Sequence, residues 1–256
     1  MFRTLLAKEF LEQRRTSKLW IFLAVFFIAG CISPLLAKYT PELLRSIPNM
    51  TPEYTELITK LIPKPSMKDA VDQYVKNTGQ FGVLLIIVLT MNAIAQERER
   101  GTAAMLFSKP VKRSAFVASK WLAGMATVTA SVILGGIACA VYTFILFGSL
   151  PVGKFLLFNL LLLLFLAVYL SVALLASALA RSQGMAAAIA FGFLAILLIT
   201  SSLPRISDYA PVGLTNWGLT IMLGGSKAQW PALFVSLAIM AGSLLAAWLY
   251  LDRQEI

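Results

Sequence analysis

Six stretches of the sequence run for 18 residues or more without a single Asp, Glu, Lys or Arg. They lie at 19–37, 79–96, 121–153, 155–180, 182–204 and 228–251. A helix of about 20 apolar residues crosses the hydrocarbon core of a bilayer, so each stretch is long enough to span it. Backbone polar groups in lipid must be paired within the segment, and none of the stretches alternates as a barrel strand does. The expected fold class is an all-α membrane protein with six transmembrane helices.

Composition excludes most other classes. The chain is 59% hydrophobic and 13% charged, whereas soluble domains are about 45–50% apolar and about 25% charged. It contains no histidine, which removes serine triads, histidine-dependent metalloproteases and most zinc sites. We read Cys31 and Cys139, far apart in apolar stretches, as small buried side chains. No catalytic residue and no metal ligand is predicted.

We predict one transmembrane domain over residues 1–256. Its transmembrane helices are placed at 19–37, 79–96, 121–147, 155–180, 185–204 and 231–251. Pro34 is expected to kink or end the first helix, because proline lacks the amide hydrogen that a helix uses. The pair Gly135–Gly136 is expected to tilt or break the long third helix.

The basic residues predict the orientation of the bundle. An even number of spans puts both termini on one side, and Lys and Arg concentrate on the cytoplasmic side. Basic residues are about twice as dense in the segments that share a side with the N-terminus. Both termini are therefore predicted to be cytoplasmic, and the net charge of +10 is mainly a topology signal. No nucleic-acid partner is expected, since the basic residues are split across both faces.

Two segments outside the spans are also apolar in part. Segment 1–18 has apolar residues near helical spacing between charges, which predicts a helix lying in the membrane interface. A frayed, merely charged terminus is the alternative. Segment 205–230 is too apolar for a free external loop, and short interfacial or re-entrant helices buried against the bundle fit it better.

Segment 38–78 is expected to form a small external cap of two or three short helices. Thr40 and Thr51 each precede a proline, a pattern typical of a helix start. Ser66 and Asp69 have the spacing of a capping box.

The loop 97–113 follows the second span. Gly101 is expected to end the helix of that span, Thr102 to cap a new short helix, and Pro110 to stop it. The apolar face of the new helix would consist of Ala103, Leu106 and Phe107. Such a helix is suited to docking into a groove on another protein, although an ordinary positively charged turn fits the same spacing equally well.

The order Glu97, Gly101–Thr102, Leu106, Pro110, Arg113 and Lys120 resembles the loop after the second span in permease subunits of ABC-2-type ABC transporters. The likeness extends over the whole chain, from the N-terminal interfacial helix through six spans to the apolar external insertion before the last span. The 41-residue segment 38–78 is longer than in the family's short-loop members.

The resemblance implies an exporter half that works as a homo- or heterodimer in the cytoplasmic (inner) membrane of a prokaryote. Its coupling helix between the second and third spans would be seated on a separate ATPase subunit. The implied contact residues are Glu97, Glu99, Arg100, Gly101, Thr102, Ala103, Leu106, Phe107, Pro110 and Arg113. This chain has no G-x-x-x-x-G-K-[ST] loop, so no cofactor is expected in it, and the partner ATPase would bind ATP and Mg²⁺.

The resemblance places the second and fifth spans at the dimer interface, which suggests a translocation path. The polar groups expected to face it are Thr90, Asn92, Thr200, Ser201 and Ser202. An uncharged, thinly polar path suits hydrophobic or amphipathic cargo. A stripe of small residues, Gly184, Ala188 and Gly192, allows close helix packing, within one subunit or in a dimer.

Two other functions are compatible with a six-span chain. A secondary transporter usually places a charged group inside the membrane, and the six stretches contain none, which disfavours this function. A non-transporting membrane assembly subunit remains open on the sequence alone.

Overall fold

The computed structural model describes residues 2–45, 65–102, 112–203 and 206–254. The helices are α1 (Phe2–Arg15), α2 (Lys18–Arg45), α3 (Met67–Thr90), α4 (Asn92–Glu99), α5 (Arg113–Phe147), α6 (Val152–Leu179), α7 (Gln183–Ser202), α8 (Val212–Met222) and α9 (Trp230–Asp252). These four ranges contain no strand. Six spans are long and apolar enough to cross a membrane: α2, α3 with α4, α5, α6, α7 and α9. The predicted fold class is confirmed.

Two of the spans begin well before their charge-free stretches. The second span starts at Met67 and the third at Arg113, whereas 79 and 121 are predicted. The charges in these extra turns are accommodated at the ends of the bundle: Asp72 and Lys76 form an exposed pair at 2.6 Å, and Lys120 has carboxylate partners. A charge-free run therefore underestimates the length of a helix that continues beyond lipid.

The start of α3 follows the capping pattern predicted at Ser66 and Asp69. The Ser66 amide donates to the Asp69 carboxylate at 2.8 Å, and its hydroxyl donates to the same oxygen at 2.7 Å. The other predicted external start, at Thr51, lies outside the described residues.

Pro34 does not end the first helix, because α2 continues through it to Arg45. Proline is tolerated in membrane helices where tertiary packing compensates for the lost hydrogen bond. The carbonyl that Pro34 leaves without an amide donor is that of Gly30, which lies at the close crossing with α5. The prediction that Thr40 caps a separate external helix is wrong. Thr40 lies inside α2, where its hydroxyl donates to the carbonyl of Leu36.

Of the tilt or break predicted at Gly135–Gly136, the break does not occur, since α5 runs unbroken from Arg113 to Phe147. Gly135, together with Gly30, instead lets α2 cross α5 closely. A Cβ atom on Gly135 would lie 2.6 Å from the carbonyl oxygen of Phe26, and one on Gly30 would collide with the backbone of Gly135. Small residues commonly serve this purpose where membrane helices cross.

Helix α6 is the centre of the bundle, and α7 and α9 bury few of their residues. Tyr74 of α3 packs against Phe155 and Phe158 of α6, and its hydroxyl donates to Asn159 at 3.2 Å. Helix α8, which lies in the 205–230 segment where a buried short helix is predicted, buries Leu214 against this core.

Candidate functional site at the base of the 97–113 loop

Lys120 of α5 is a buried cation that joins three elements. Its ammonium contacts both carboxylate oxygens of Glu9 in α1, at 3.0 and 3.2 Å, and one oxygen of Glu97 in α4, at 3.0 Å. The side chains of Lys120, Glu9 and Glu97 are 2%, 8% and 14% exposed. Because a buried charge is tolerated only when it is paired, this contact fixes α1 and the end of the second span to the start of the third.

Lys8 completes the cluster from its exposed edge. Its ammonium donates to Glu97 at 2.6 Å. Burial disfavours the charged form of Lys8, but the hydrogen bond and charge of Glu97 outweigh it and hold the pKa of Lys8 above its ordinary value. Lys8 and Lys120 thus share Glu97, and Lys120 also lies over the ring of Phe116, 4.9 Å from its centroid.

The last residues of α4 contact the neighbouring spans. The Arg98 guanidinium donates to the carbonyl of Ala180, at the end of α6, at 2.9 Å. The Glu99 carboxylate accepts the amide of Gln183, at the start of α7, at 3.2 Å. Both contacts satisfy backbone groups that a helix terminus leaves without an intrahelical partner.

Arg113 makes the corresponding contact on the other side of the loop. Its guanidinium donates to the carbonyls of Leu251, of Asp252 at 2.9 Å and of Gln254 at 2.7 Å. A cation is well placed at the carboxyl end of a helix, and here it fastens the start of α5 to the end of α9.

We call the segments 97–102 and 112–120 the loop base. Its side chains contact α1, the adjoining ends of α6 and α7, and the end of α9. Helix α1 and the end of α9 therefore lie at the same end of the bundle as the loop base. A force applied to the loop at this point would reach each of these helices.

The start of the loop has the geometry expected for Gly101. Helix α4 ends at Glu99, and Gly101 has a φ of 70°, which a glycine at the end of a helix adopts without strain. The Thr102 hydroxyl donates back to the carbonyl of Glu97 at 3.1 Å. Arg100 is exposed beside it. The predicted contact residues Ala103, Leu106, Phe107 and Pro110 lie outside the described residues.

The polar residues proposed for a translocation path are not brought together. Thr90 donates its hydroxyl hydrogen to the carbonyl of Ile86. It lines a cavity of about 40 Å³ beside Lys120, which has room for only a few water molecules. The Asn92 side-chain oxygen is buried with no hydrogen-bond partner among the described residues. Thr200, Ser201 and Ser202 donate to carbonyls of their own helix.

Ser201 lines a larger cavity at the opposite end of the bundle from the loop base. This cavity has a volume of about 520 Å³ and lies between α3, α6, α7 and α8. Its walls are aromatic and aliphatic and include Phe81, Leu84, Phe165, Tyr169, Leu194 and Leu198. Its polar lining includes Asp72, Lys76, Gln80 and Asn216.

The sequence analysis did not select Glu9 or Ser177 as site residues. The sequence indicates a buried position for Glu9 but gives no such indication for Ser177. Glu9 lies four residues after Leu5, so it shares the face of α1 that is buried against α5. Ser177 accepts two amide hydrogens of α4, and nothing in the order of residues distinguishes it from Ser171 on the same helix.

Comparison with known proteins adds two findings. The family described as "ABC-2 family transporter protein" matches residues 3–206. The chain is also 28% identical over 249 residues to a protein of Bacillus subtilis (strain 168) named "Uncharacterized transmembrane protein YxlG", and the match covers 95% of each chain.

Proposed function

Because the chain belongs to the ABC-2 family of transporter proteins, a multi-pass membrane family, we propose that it is the permease subunit of an ATP-driven exporter. In this proposal two permease subunits form a homo- or heterodimer in the cytoplasmic membrane of a prokaryote, with both termini cytoplasmic. Two separate ATPase subunits bind ATP and Mg²⁺ and dock on the 97–113 loop. The permease itself carries out no chemical step.

The loop base is the observation that supports this proposal. A subunit driven by a separate ATPase must pass movement from one short docking segment into a whole bundle. Glu97, Arg98 and Glu99 on one side of the loop and Arg113 and Lys120 on the other contact α1, α6, α7 and α9. Charge-assisted contacts hold their geometry better than neutral ones, so the loop and these helix ends would move together.

The large cavity supports a hydrophobic or amphipathic cargo. Its volume of about 520 Å³ is in the usual range of small-molecule sites, which are mostly apolar with a few polar groups. The aromatic walls suit an apolar body, and Asp72, Lys76 and Asn216 supply polar contacts.

The exposed face of α7 supports a second permease subunit. Within the described part of the chain, and apart from the adjacent residues and the nearby backbone of the same helix, no atom lies within 4 Å of a Cβ added to Gly184 or Gly192. Ile196 and Ile199 on the same helix are exposed. The small-residue stripe therefore packs against none of the described helices of this subunit, and a partner helix could approach it closely.

The experiment is to express the chain with its native neighbours, purify it in mild detergent and identify what co-purifies. The proposal predicts an ATPase chain and a second permease subunit, with nucleotide bound by the ATPase. Recovery of the chain alone, itself binding ATP, would contradict the proposal. Recovery with other membrane proteins and no ATPase would favour the assembly-subunit alternative.

A further inference from the structure

The second span is interrupted close to the loop base. Helix α3 ends at Thr90 and α4 begins at Asn92, while Met91 between them keeps helical backbone angles (φ −54°, ψ −30°) and its amide donates to the carbonyl of Ile87. Helix α4 has eight residues and leads directly into the 97–113 loop. The first turn of any helix leaves amide hydrogens without an intrahelical acceptor, so the start of α4 needs acceptors from elsewhere.

Ser177 of α6 supplies such an acceptor. Its hydroxyl oxygen accepts the amide hydrogens of Ile94 at 2.9 Å and of Ala95 at 3.0 Å. All three residues are buried. The cap of α4 therefore comes from a different helix, and the two buried amides would lose this acceptor if the hydroxyl were removed.

This use of a hydroxyl differs from that of other buried serines in the spans. Ser33, Ser131 and Ser171 each donate to the carbonyl four residues earlier in their own helix. Ser171, six residues before Ser177 on α6, also accepts the indole hydrogen of Trp121 at 2.9 Å. Ser177 instead accepts two backbone amide hydrogens of another span.

The far end of α4 is fastened to the same helix. Arg98 donates to the carbonyl of Ala180, immediately after α6, at 2.9 Å. Helix α4 is thus tied to α6 at both ends and joins the rest of the second span through Met91.

We propose that Ser177 is a positioning residue for coupling, because it makes α4 move with the fourth span, α6, rather than with α3. The proposal rests on the proposed function, in which the ATPase displaces the 97–113 loop. Movement of the loop then passes through α4 and Ser177 into α6. Helix α6 lines the large cavity with Phe165 and Tyr169, so the same contact connects the loop base with the cavity.

Two substitutions isolate the hydroxyl. Ser177→Thr keeps the hydroxyl and adds a methyl group. Ser177→Val gives a side chain of nearly the same shape as threonine but without the hydroxyl. Any cost of the larger side chain is therefore common to both variants. Ser171→Thr and Ser171→Val are the matched control pair on the same helix. If the larger side chains prevent accumulation, Ser177→Ala is compared with Ser171→Ala.

The first measurement is amide hydrogen exchange in the chain purified with its neighbours. The amides of Ile94 and Ala95 should exchange about tenfold faster in Ser177→Val than in Ser177→Thr, the loss expected for a buried amide without its acceptor. Equal exchange in the two variants would overturn the capping role.

The second measurement is ATP hydrolysis by the complex in liposomes, relative to the ATPase subunit alone. The proposal predicts that Ser177→Thr keeps most of the permease-dependent change in hydrolysis and that Ser177→Val loses it while the ATPase stays bound. The Ser171 pair should show no such difference. Faster exchange with unchanged hydrolysis would overturn the coupling role and leave the proposed function intact. If no ATPase co-purifies, the proposed function and the coupling role fail together, and the exchange measurement still decides whether Ser177 caps α4.

Discussion

At the scale of single residues, Lys120 is the side chain on which the loop base depends most. It is buried between Glu9 and Glu97, and removing one partner of a buried pair leaves the others uncompensated. We predict that Lys120→Met destabilises the protein by about 3–5 kcal/mol, measured by thermal unfolding of the purified complex.

Lys76→Met is the matched control for Lys120→Met. Lys76 also pairs with a carboxylate, Asp72 at 2.6 Å, but the two side chains are 61% and 41% exposed. An exposed pair of this kind contributes about 0–1 kcal/mol. Equal, small losses for both variants would show that the buried cluster is not a structural tie.

Only part of this cluster could be predicted from the sequence. Glu97 and Lys120 stand out because they flank the loop and because Lys120 is the last charge before a long uncharged stretch. Glu9 is 111 positions away from Lys120, and their pairing depends on how α1 packs across α5. Such tertiary packing cannot be predicted from the local spacing of residues.

At the scale of helices, the crossing of α2 and α5 is held close by Gly30 and Gly135. We predict that Gly135→Ala destabilises the bundle by roughly 1–3 kcal/mol, the usual range for overpacking, because the new Cβ would lie 2.6 Å from the backbone oxygen of Phe26. Gly153→Ala is the control, since no described atom lies within 4 Å of its added Cβ. The midpoint of thermal unfolding should fall for Gly135→Ala and stay unchanged for Gly153→Ala. An unchanged midpoint for Gly135→Ala would contradict the close crossing.

The helix breaks show where sequence reasoning fails at this scale. Pro34 and Gly135 suggest breaks that tertiary packing overrides, because neighbouring helices compensate for local preference in a membrane bundle. The interruption that does occur, at Met91, follows no Gly or Pro in its own turn. Its cap comes from Ser177, 83 positions from Ile94, so the second span alone carries no sign of it.

At the scale of the whole molecule, the six spans could be predicted from the uncharged stretches. A segment that crosses lipid needs about 20 apolar residues and must pair its own backbone groups, and both conditions are visible in the sequence.

The topology is a prediction that labelling can test. In a background with Cys31→Ser and Cys139→Ala, Lys60→Cys and Asp72→Cys should react with a membrane-impermeant maleimide on intact cells. Arg253→Cys, an exposed position near the other end of the bundle, should react only after permeabilisation. Labelling of Lys60→Cys or Asp72→Cys only from the cytoplasmic side would contradict the topology.

The central claim is that a separate ATPase drives this bundle through the 97–113 loop, and one measurement tests it most directly. The complex is purified with Leu106→Asp or Phe107→Asp, and with Lys109→Ala as the control, and both ATPase retention and ATP hydrolysis in liposomes are measured. A docked helix draws most of its binding free energy from a few apolar anchors, so each charged substitution should weaken binding by roughly 2–4 kcal/mol and release or uncouple the ATPase, while Lys109→Ala does much less. If Leu106→Asp and Phe107→Asp leave both retention and hydrolysis unchanged, the loop is an ordinary charged turn and the account of coupling is wrong.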